Sequence, residues 1–166
     1  QEWQALILSL QTSFWAVVFV FPLGVALAWL LSRRTFFGKL LLEGIVYLPL
    51  VLPPVVTGFG LLIALGPQSP IGAWLNKTFG ISLAFSWQGA AIAAAIVGLP
   101  LLVRTVRAAF DQVDRRCEWA ARMLGHGPYR TFFYVTLPLA APGVLAGTVL
   151  CFARALGEFG ATIVFA

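Results

Sequence analysis

The sequence predicts an all-α membrane protein, a bundle of several transmembrane helices. Hydrophobic residues fill 60% of the 166 positions and charged residues only 10%, whereas a soluble globular domain carries roughly 25% charged residues. The apolar residues also form long uncharged blocks, which differ from the amphipathic stripes that face a single core. Composition and block length together argue against a soluble fold.

Four blocks are long enough to cross a bilayer, whose hydrocarbon core of about 30 Å requires about 20 helical residues. They are residues 6–31, 45–65, 84–103 and 142–162. The first three contain no charged residue, while the fourth carries Arg154 and Glu158. We expect the chain to be part of a longer protein.

Lysine and arginine are unevenly distributed between the segments that connect these blocks. The first and third connections hold nine of them and the second holds only Lys77. By the positive-inside rule, the first and third connections are cytoplasmic and the N-terminus lies outside. Because the basic residues alternate with apolar blocks and do not form one solvated face, the net charge of +5 does not predict nucleic-acid binding.

Neither a metal site nor a cofactor is predicted. Cys117 and Cys151 lie in unlike surroundings and His126 stands alone, so no set of metal ligands with a usual spacing occurs. No phosphate-binding loop of the Gly-x-x-x-x-Gly-Lys-Ser/Thr type is present either. A membrane enzyme or a gradient-driven transporter is the rival class. Either one would be expected to show paired carboxylates, histidine clusters or a nucleophile with a base within the spans.

The second and third blocks differ in their small and helix-breaking residues. The second contains Pro49, Pro53 and Pro54, which remove backbone donors and kink helices. Two interpretations stay open, a buried kink and a helix bent around a pathway. The third has small residues four apart at 90, 94 and 98, which allow close helix packing and favour a bundle. Between these blocks, residues 69–80 predict either a short surface helix or an irregular loop.

The third connection, residues 111–138, predicts a helix, a tight corner and a return to the membrane. Asp114 is a suitable N-cap, and Gly125, Gly127 and Pro128 stop the helix. A narrow apolar face follows helical spacing, with the charged residues elsewhere on the surface. That face consists of Cys117, Ala120, Ala121 and Leu124, and the charged residues are Arg115, Arg116, Glu118 and Arg122. Two functions are open, an interfacial connector and a helix that docks in a groove of a partner.

This segment resembles the EAA loop of ABC importer permeases. The similarity lies in the run from Glu118 to Gly125 and in Leu137-Pro138 at the family's distance from the glycine. Trp119 occupies the family's glutamate position, and Glu118 lies one residue earlier. The resemblance implies that the loop couples the membrane helices to an ATPase. The residues that it assigns to coupling are Glu118, Trp119, Ala120, Ala121, Leu124, Gly125, Leu137 and Pro138.

Three further stretches, residues 48–58, 85–87 and 155–162, are similar to the molybdate branch of these permeases, and the last is also similar to the sulfate branch. The family implies a type I importer fold with about six spans in a bacterial or archaeal plasma membrane. It also implies a second permease copy, two cytoplasmic ATP-binding subunits and an external substrate-binding protein. The implied substrate is an oxyanion, either molybdate or, as alternatives, sulfate or tungstate.

A translocation pathway for such an anion has six candidate residues. They are Pro53, Pro54, Thr57, Arg154, Glu158 and Thr162. Charges inside a bilayer are costly, so we expect the charged pair to face protein or water. Arg154 and Glu158 either pair with each other or guide the passing dianion, and the residues leave both interpretations open.

Overall fold

The computed structural model describes residues 2–66, 69, 70, 72, 73, 77 and 86–157, and the regular structure within them is helical. In chain order the described helices are α1 (Glu2–Arg33), α2 (Lys39–Val51), α3 (Pro54–Leu65), α4 (Trp87–Gln112), α5 (Arg115–Met123) and α6 (Pro128–Leu156). Among them, α1, α4 and α6 are each long and apolar enough to cross a membrane. The predicted all-α membrane fold is confirmed.

Helix α4 lies between α1 and α6 and contributes more buried apolar side chains than any other described helix, including Leu102, Val106 and Phe110. Small residues allow the close approach of its neighbours. A Cβ added at Gly98 would lie 2.8 Å from Cys151 Sγ of α6, and one at Gly147 of α6 would lie 3.0 Å from Val106 Cγ2. In lipid the hydrophobic effect does not favour helix association, so dispersion contacts between closely packed backbones take its place. Gly98 and Gly147 allow this close packing and so help to hold the bundle together.

The predicted second span, residues 45–65, is not one continuous helix. It divides at Leu52 and Pro53 into α2 and α3, which meet at a bend of 120°. Pro53 and Pro54 cannot donate backbone hydrogen bonds, and Leu52 precedes a proline, which disfavours helical backbone there. The bend therefore follows from the double proline. The disturbance that the prolines predict is therefore a sharp bend between two helices.

Helices α4 and α6 each extend beyond the uncharged runs that predict the membrane spans. Ser86 caps α4 by accepting a hydrogen bond from the Gly89 N–H at 3.2 Å, and the helix continues past Val103 to Gln112. Helix α6 begins at Pro128, well before the predicted start at Pro142. Within α6, the turn Phe132–Thr136 is π-helical. It lies just before Pro138, which has no backbone N–H to donate to the preceding turn.

Two predicted segments fall largely outside the described residues. They are the surface segment 69–80 and the part of the fourth span after Gly157. At the start of the first segment, Ser69 Oγ accepts a hydrogen bond from the Gly72 N–H at 2.8 Å, which is the contact that an N-cap serine makes.

Candidate functional site

The predicted docking helix is α5, and its two ends are built as the sequence indicates. Asp114 Oδ1 accepts a hydrogen bond from the Arg116 N–H at 2.9 Å. At the other end, the Gly125 N–H donates to Arg122 O at 3.0 Å and the His126 N–H donates to Ala121 O at 3.1 Å. Gly125 has φ +84°, the left-handed conformation that this capping motif requires. These caps make α5 a short helix with sharp limits.

The buried side of α5 differs from the predicted apolar face. Glu118 and Ala121 are buried, whereas Cys117, Ala120 and Leu124 are exposed. The four small and apolar residues keep the predicted helical spacing, but only Ala121 among them is buried within this chain, and it shares its buried side with the charged Glu118. Positions 118 and 121 are three apart and therefore lie on one side of a helix. That side carries the glutamate into the protein.

The Glu118 carboxylate is the centre of a buried polar cluster. Its Oε1 atom lies 2.9 Å from Arg33 Nη2 and 3.0 Å from Arg33 Nε, and it accepts a hydrogen bond from Thr136 Oγ1 at 2.8 Å. Arg33 Nη2 also donates to the Val113 carbonyl at 3.2 Å. Four parts of the chain meet here, namely the end of α1, the α4–α5 turn, α5 and the π turn of α6.

Sequence reasoning missed Arg33 and Thr136 as members of this cluster. Once the structure shows Glu118 to be buried, a cationic partner is required, because an unpaired buried charge is costly. The sequence nevertheless does not choose between Arg33 and the other basic residues. Contact with Thr136 also joins the two halves of the predicted loop motif, since it precedes Leu137 and Pro138.

A second polar cluster lies at the same end of the bundle. Arg107 Nη1 lies 2.8 Å from Glu43 Oε1, and its Nε atom lies 3.9 Å from Asp111 Oδ2. Ser32 donates to Asp111 Oδ1 at 2.5 Å. Charged residues from the two predicted cytoplasmic connections thus meet each other, as expected for segments on one side of a membrane.

The outer side of α5 presents large apolar side chains to the surroundings. Trp119 is 61% exposed, Leu124 81% and Met123 90%. Ala120 lies among them and is exposed as well. We call these four residues the outer face of α5. Clustered exposed apolar side chains on a short helix are typical of an interaction surface.

The other candidate residues of the coupling loop lie at the start of the regular part of α6. Leu137 packs against the main core, and Pro138 is exposed. Neither belongs to the outer face of α5. Their position beside Thr136 places them next to the Glu118 cluster.

The candidate pathway residues are only partly described. Pro53 and Pro54 form the α2–α3 bend, and Thr57 Oγ1 donates to Pro53 O at 3.4 Å. The Thr57 hydroxyl is therefore engaged with its own backbone in this structure. Arg154 is half-buried in the last turn of α6. Glu158 and Thr162 lie outside the described residues, so their pairing and position stay predictions.

Within the described ranges, no three His, Cys, Asp or Glu side chains are arranged to hold a metal ion. The chemistry of the site is that of ion pairs, helix caps and apolar surface.

Comparison with known proteins decides the family. Residues 5–166 match the family described as binding-protein-dependent transport system inner membrane component. The chain belongs to this family. As an inner membrane component with several apolar helices, it is a multi-pass protein of the plasma membrane. The resemblance to ABC importer permeases is thereby confirmed.

Several relatives of this inner membrane component carry the name molybdenum transport system permease protein ModB. The protein from Escherichia coli K12 is 56% identical over 164 residues, which cover 99% of this chain and 72% of the relative. The Haemophilus influenzae protein is 50% identical with the same coverage. The Mycobacterium tuberculosis protein is 44% identical, and the match covers 98% of this chain and 61% of that protein.

Proposed function

We propose that this chain is the membrane-spanning permease subunit of an ATP-driven importer for molybdate. The observation that carries the proposal is its 56% identity, over 99% of its length, to a molybdenum transport system permease protein. Similarity at this level over the helices and the α5 segment together supports the same transported substrate. The chain itself would form the pathway and would not hydrolyse ATP.

The proposed assembly contains two copies of the permease, two cytoplasmic ATP-binding subunits and one external substrate-binding protein. The family description, a binding-protein-dependent transport system, supports the binding protein. The 166 residues contain no phosphate-binding loop, which supports a separate ATPase. Copy numbers follow from the two-fold assembly that is usual for such importers.

The outer face of α5 is the proposed contact with the ATPase. Trp119, Met123 and Leu124 are exposed here and would be covered in a groove of that partner. Ala120 lies between them and permits close approach because its side chain is short. Removal of these apolar side chains from water would favour association of the two subunits.

The inner side of α5 would pass movement on to the membrane helices. Glu118 bonds to Arg33 at the end of α1 and to Thr136 in α6. Displacement of α5 by the ATPase therefore acts on both helices through short polar contacts. Interfaces of this kind switch between discrete arrangements and do not deform continuously. We infer that α1 and α6 move together with α5 when the pathway switches between its inward-open and outward-open forms.

The proposed pathway runs beside the α2–α3 bend. Non-helical backbone at membrane depth is stable where it is buried in protein or borders a wet cavity. The bend at Pro53 and Pro54 supports such a location. Thr57, Arg154, Glu158 and Thr162 remain the proposed side chains along it. Their binding of the anion would be weak, because an anion held tightly is not released.

Uptake of labelled molybdate into vesicles that contain the complete transporter tests the proposal. We expect uptake that depends on ATP, on the binding protein and on the ATPase subunit. Excess tungstate should compete strongly and excess sulfate weakly. Strong inhibition by sulfate, with sulfate itself accumulated, would assign the chain to sulfate transport. Uptake that continues without the ATPase but follows an ion gradient would refute the importer.

A further inference from the structure

A cavity of about 230 Å³ lies between the end of α1, α5 and the first turns of α6. Since one water molecule occupies about 30 Å³ of liquid, the cavity has room for a phosphate group together with part of a glycerol unit. The residues that line it are Trp29, Arg33, Arg34, Arg115, Glu118, Trp119, Arg122, Pro128, Thr131, Phe132 and Thr136.

The lining is strongly basic. It contains four arginines and one glutamate, a net charge of +3. The glutamate is already occupied, since Glu118 Oε1 receives hydrogen bonds from Arg33 and from Thr136. Within the described part of the chain, no ion pair involves the other three arginines. Three guanidinium groups thus surround one cavity without a carboxylate to neutralise them, which favours an anionic ligand.

The ligand's type follows from the guanidinium groups. Arg34, Arg115 and Arg122 can each present a planar pair of N–H donors to the oxygens of one phosphate, a geometry that guanidinium groups match well. All three are exposed, so their side chains can turn toward a ligand without disturbing the core.

The aromatic residues indicate where the ligand comes from. Trp29 and Phe132 pack edge to face with ring centres 5.7 Å apart, and both line the cavity. Trp29 lies near the end of the first uncharged block, residues 6–31, where α1 leaves its apolar stretch. Tryptophan is enriched at the height of lipid headgroups. A basic cavity at that height faces the phosphates of the membrane more directly than those of the cytoplasm.

We propose that this cavity binds the phosphate of an anionic phospholipid from the cytoplasmic leaflet. Arg34, Arg115 and Arg122 contact the phosphate oxygens, and Trp29 and Phe132 lie beside the glycerol and the upper acyl chains. The bound lipid connects α1 to α5 next to the Arg33–Glu118 pair. The proposal concerns a lipid site and does not depend on which oxyanion is transported.

The test measures how much phosphatidylglycerol the assembled transporter retains. The transporter is reconstituted in mixed phosphatidylcholine and phosphatidylglycerol, and the retained lipid is counted by native mass spectrometry. The test variant is Arg34→Gln/Arg115→Gln/Arg122→Gln. A matched control, Lys39→Gln/Arg116→Gln/Arg130→Gln, removes the same charge from residues that do not line the cavity. Each arginine near anionic lipid contributes about fivefold to affinity, so we expect a loss on the order of 100-fold in the test variant.

The single variant Arg34→Gln provides a second measurement because it leaves α5 unchanged, and we expect about a fivefold loss from it. Equal phosphatidylglycerol retention by the test and control triples would overturn the proposal. Displacement of the lipid by inorganic phosphate at comparable concentration would assign the cavity to a soluble anion. If the permease alone retained phosphatidylglycerol but lost it when the ATPase subunits were added, a protein partner would fill the cavity in the transporter and the proposal would fail.

Discussion

The guanidinium of Arg33 and the carboxylate of Glu118, 85 positions apart in the chain, form a buried ion pair with Nη2 at 2.9 Å from Oε1. Their side chains are 8% and 9% exposed. A buried charge that loses its partner costs several kcal/mol, because water does not take the partner's place. This pair therefore holds α5 against the end of α1.

Replacing Arg33 with methionine should destabilise the packing of α5 by about 3 kcal/mol, since Glu118 would keep only its bond to Thr136. Thermal unfolding in detergent and protease cleavage within residues 115–123 measure the effect. The double variant Arg33→Met/Glu118→Met removes the orphaned charge and should recover a good part of the loss. Exposed Arg116→Met is the control, and an equal fall in its unfolding temperature would contradict the role of the pair.

Gly125→Val should uncouple ATP hydrolysis from transport while leaving membrane insertion intact. The glycine has φ +84°, where a residue with a Cβ atom costs about 1–2 kcal/mol. Gly127→Val is a matched control, because its φ is −67° and an added Cβ meets nothing within 4 Å at either glycine. ATPase activity per molybdate transported is the measurement. Normal coupling in the Gly125 variant would show that the end of α5 is irrelevant to it.

Ala120→Asp should also uncouple the transporter, for a different reason. Ala120 is exposed in this chain, so the change leaves its fold intact, but an aspartate in an apolar docking groove would lose its hydration. Pull-down of the ATPase subunit should fall at least tenfold. The control Ala120→Ser keeps the side chain small and should bind nearly as well. Undiminished pull-down by the aspartate variant would move the contact away from the outer face of α5.

Gly98→Ala should destabilise the bundle by about 1–3 kcal/mol, because its Cβ would lie 2.8 Å from Cys151 Sγ. Removing that sulfur in Gly98→Ala/Cys151→Ala should restore much of the stability. Gly44→Ala is the matched control, since an added Cβ there meets nothing within 4 Å and alanine favours a helix. Unfolding midpoints in detergent measure the stability of each variant. If adding Cys151→Ala did not restore the stability lost in Gly98→Ala, the contact between these two residues would not be the cause.

Impermeant thiol reagents should distinguish three cysteines by side and by burial. A cysteine at Asn76, next to exposed Lys77, should react from outside. Cys117 is exposed and should react from the cytoplasm, with protection when the ATPase is bound, whereas buried Cys151 should stay unreactive. Labelling of positions 76 and 117 from the same side would contradict the predicted topology.

The structure also shows where sequence patterns were insufficient. Uncharged runs predicted spanning segments, but they did not show that α4 begins at a serine cap or that α6 contains a π turn before Pro138. The double proline predicted a disturbed helix without its angle. That angle depends on how α2 and α3 pack against α4, which is a property of the assembled bundle.

The sequence by itself determined the membrane class, the helical segments and the two ends of α5. Those features are local, since the length of an apolar run, the side chain of Asp114 and the freedom of Gly125 act over a few residues. Only the tertiary structure decided that Glu118 points inward and that Ala120 faces out. The partners of Glu118 lie 85 and 18 positions away, and helical spacing carries no information about contacts at such distances.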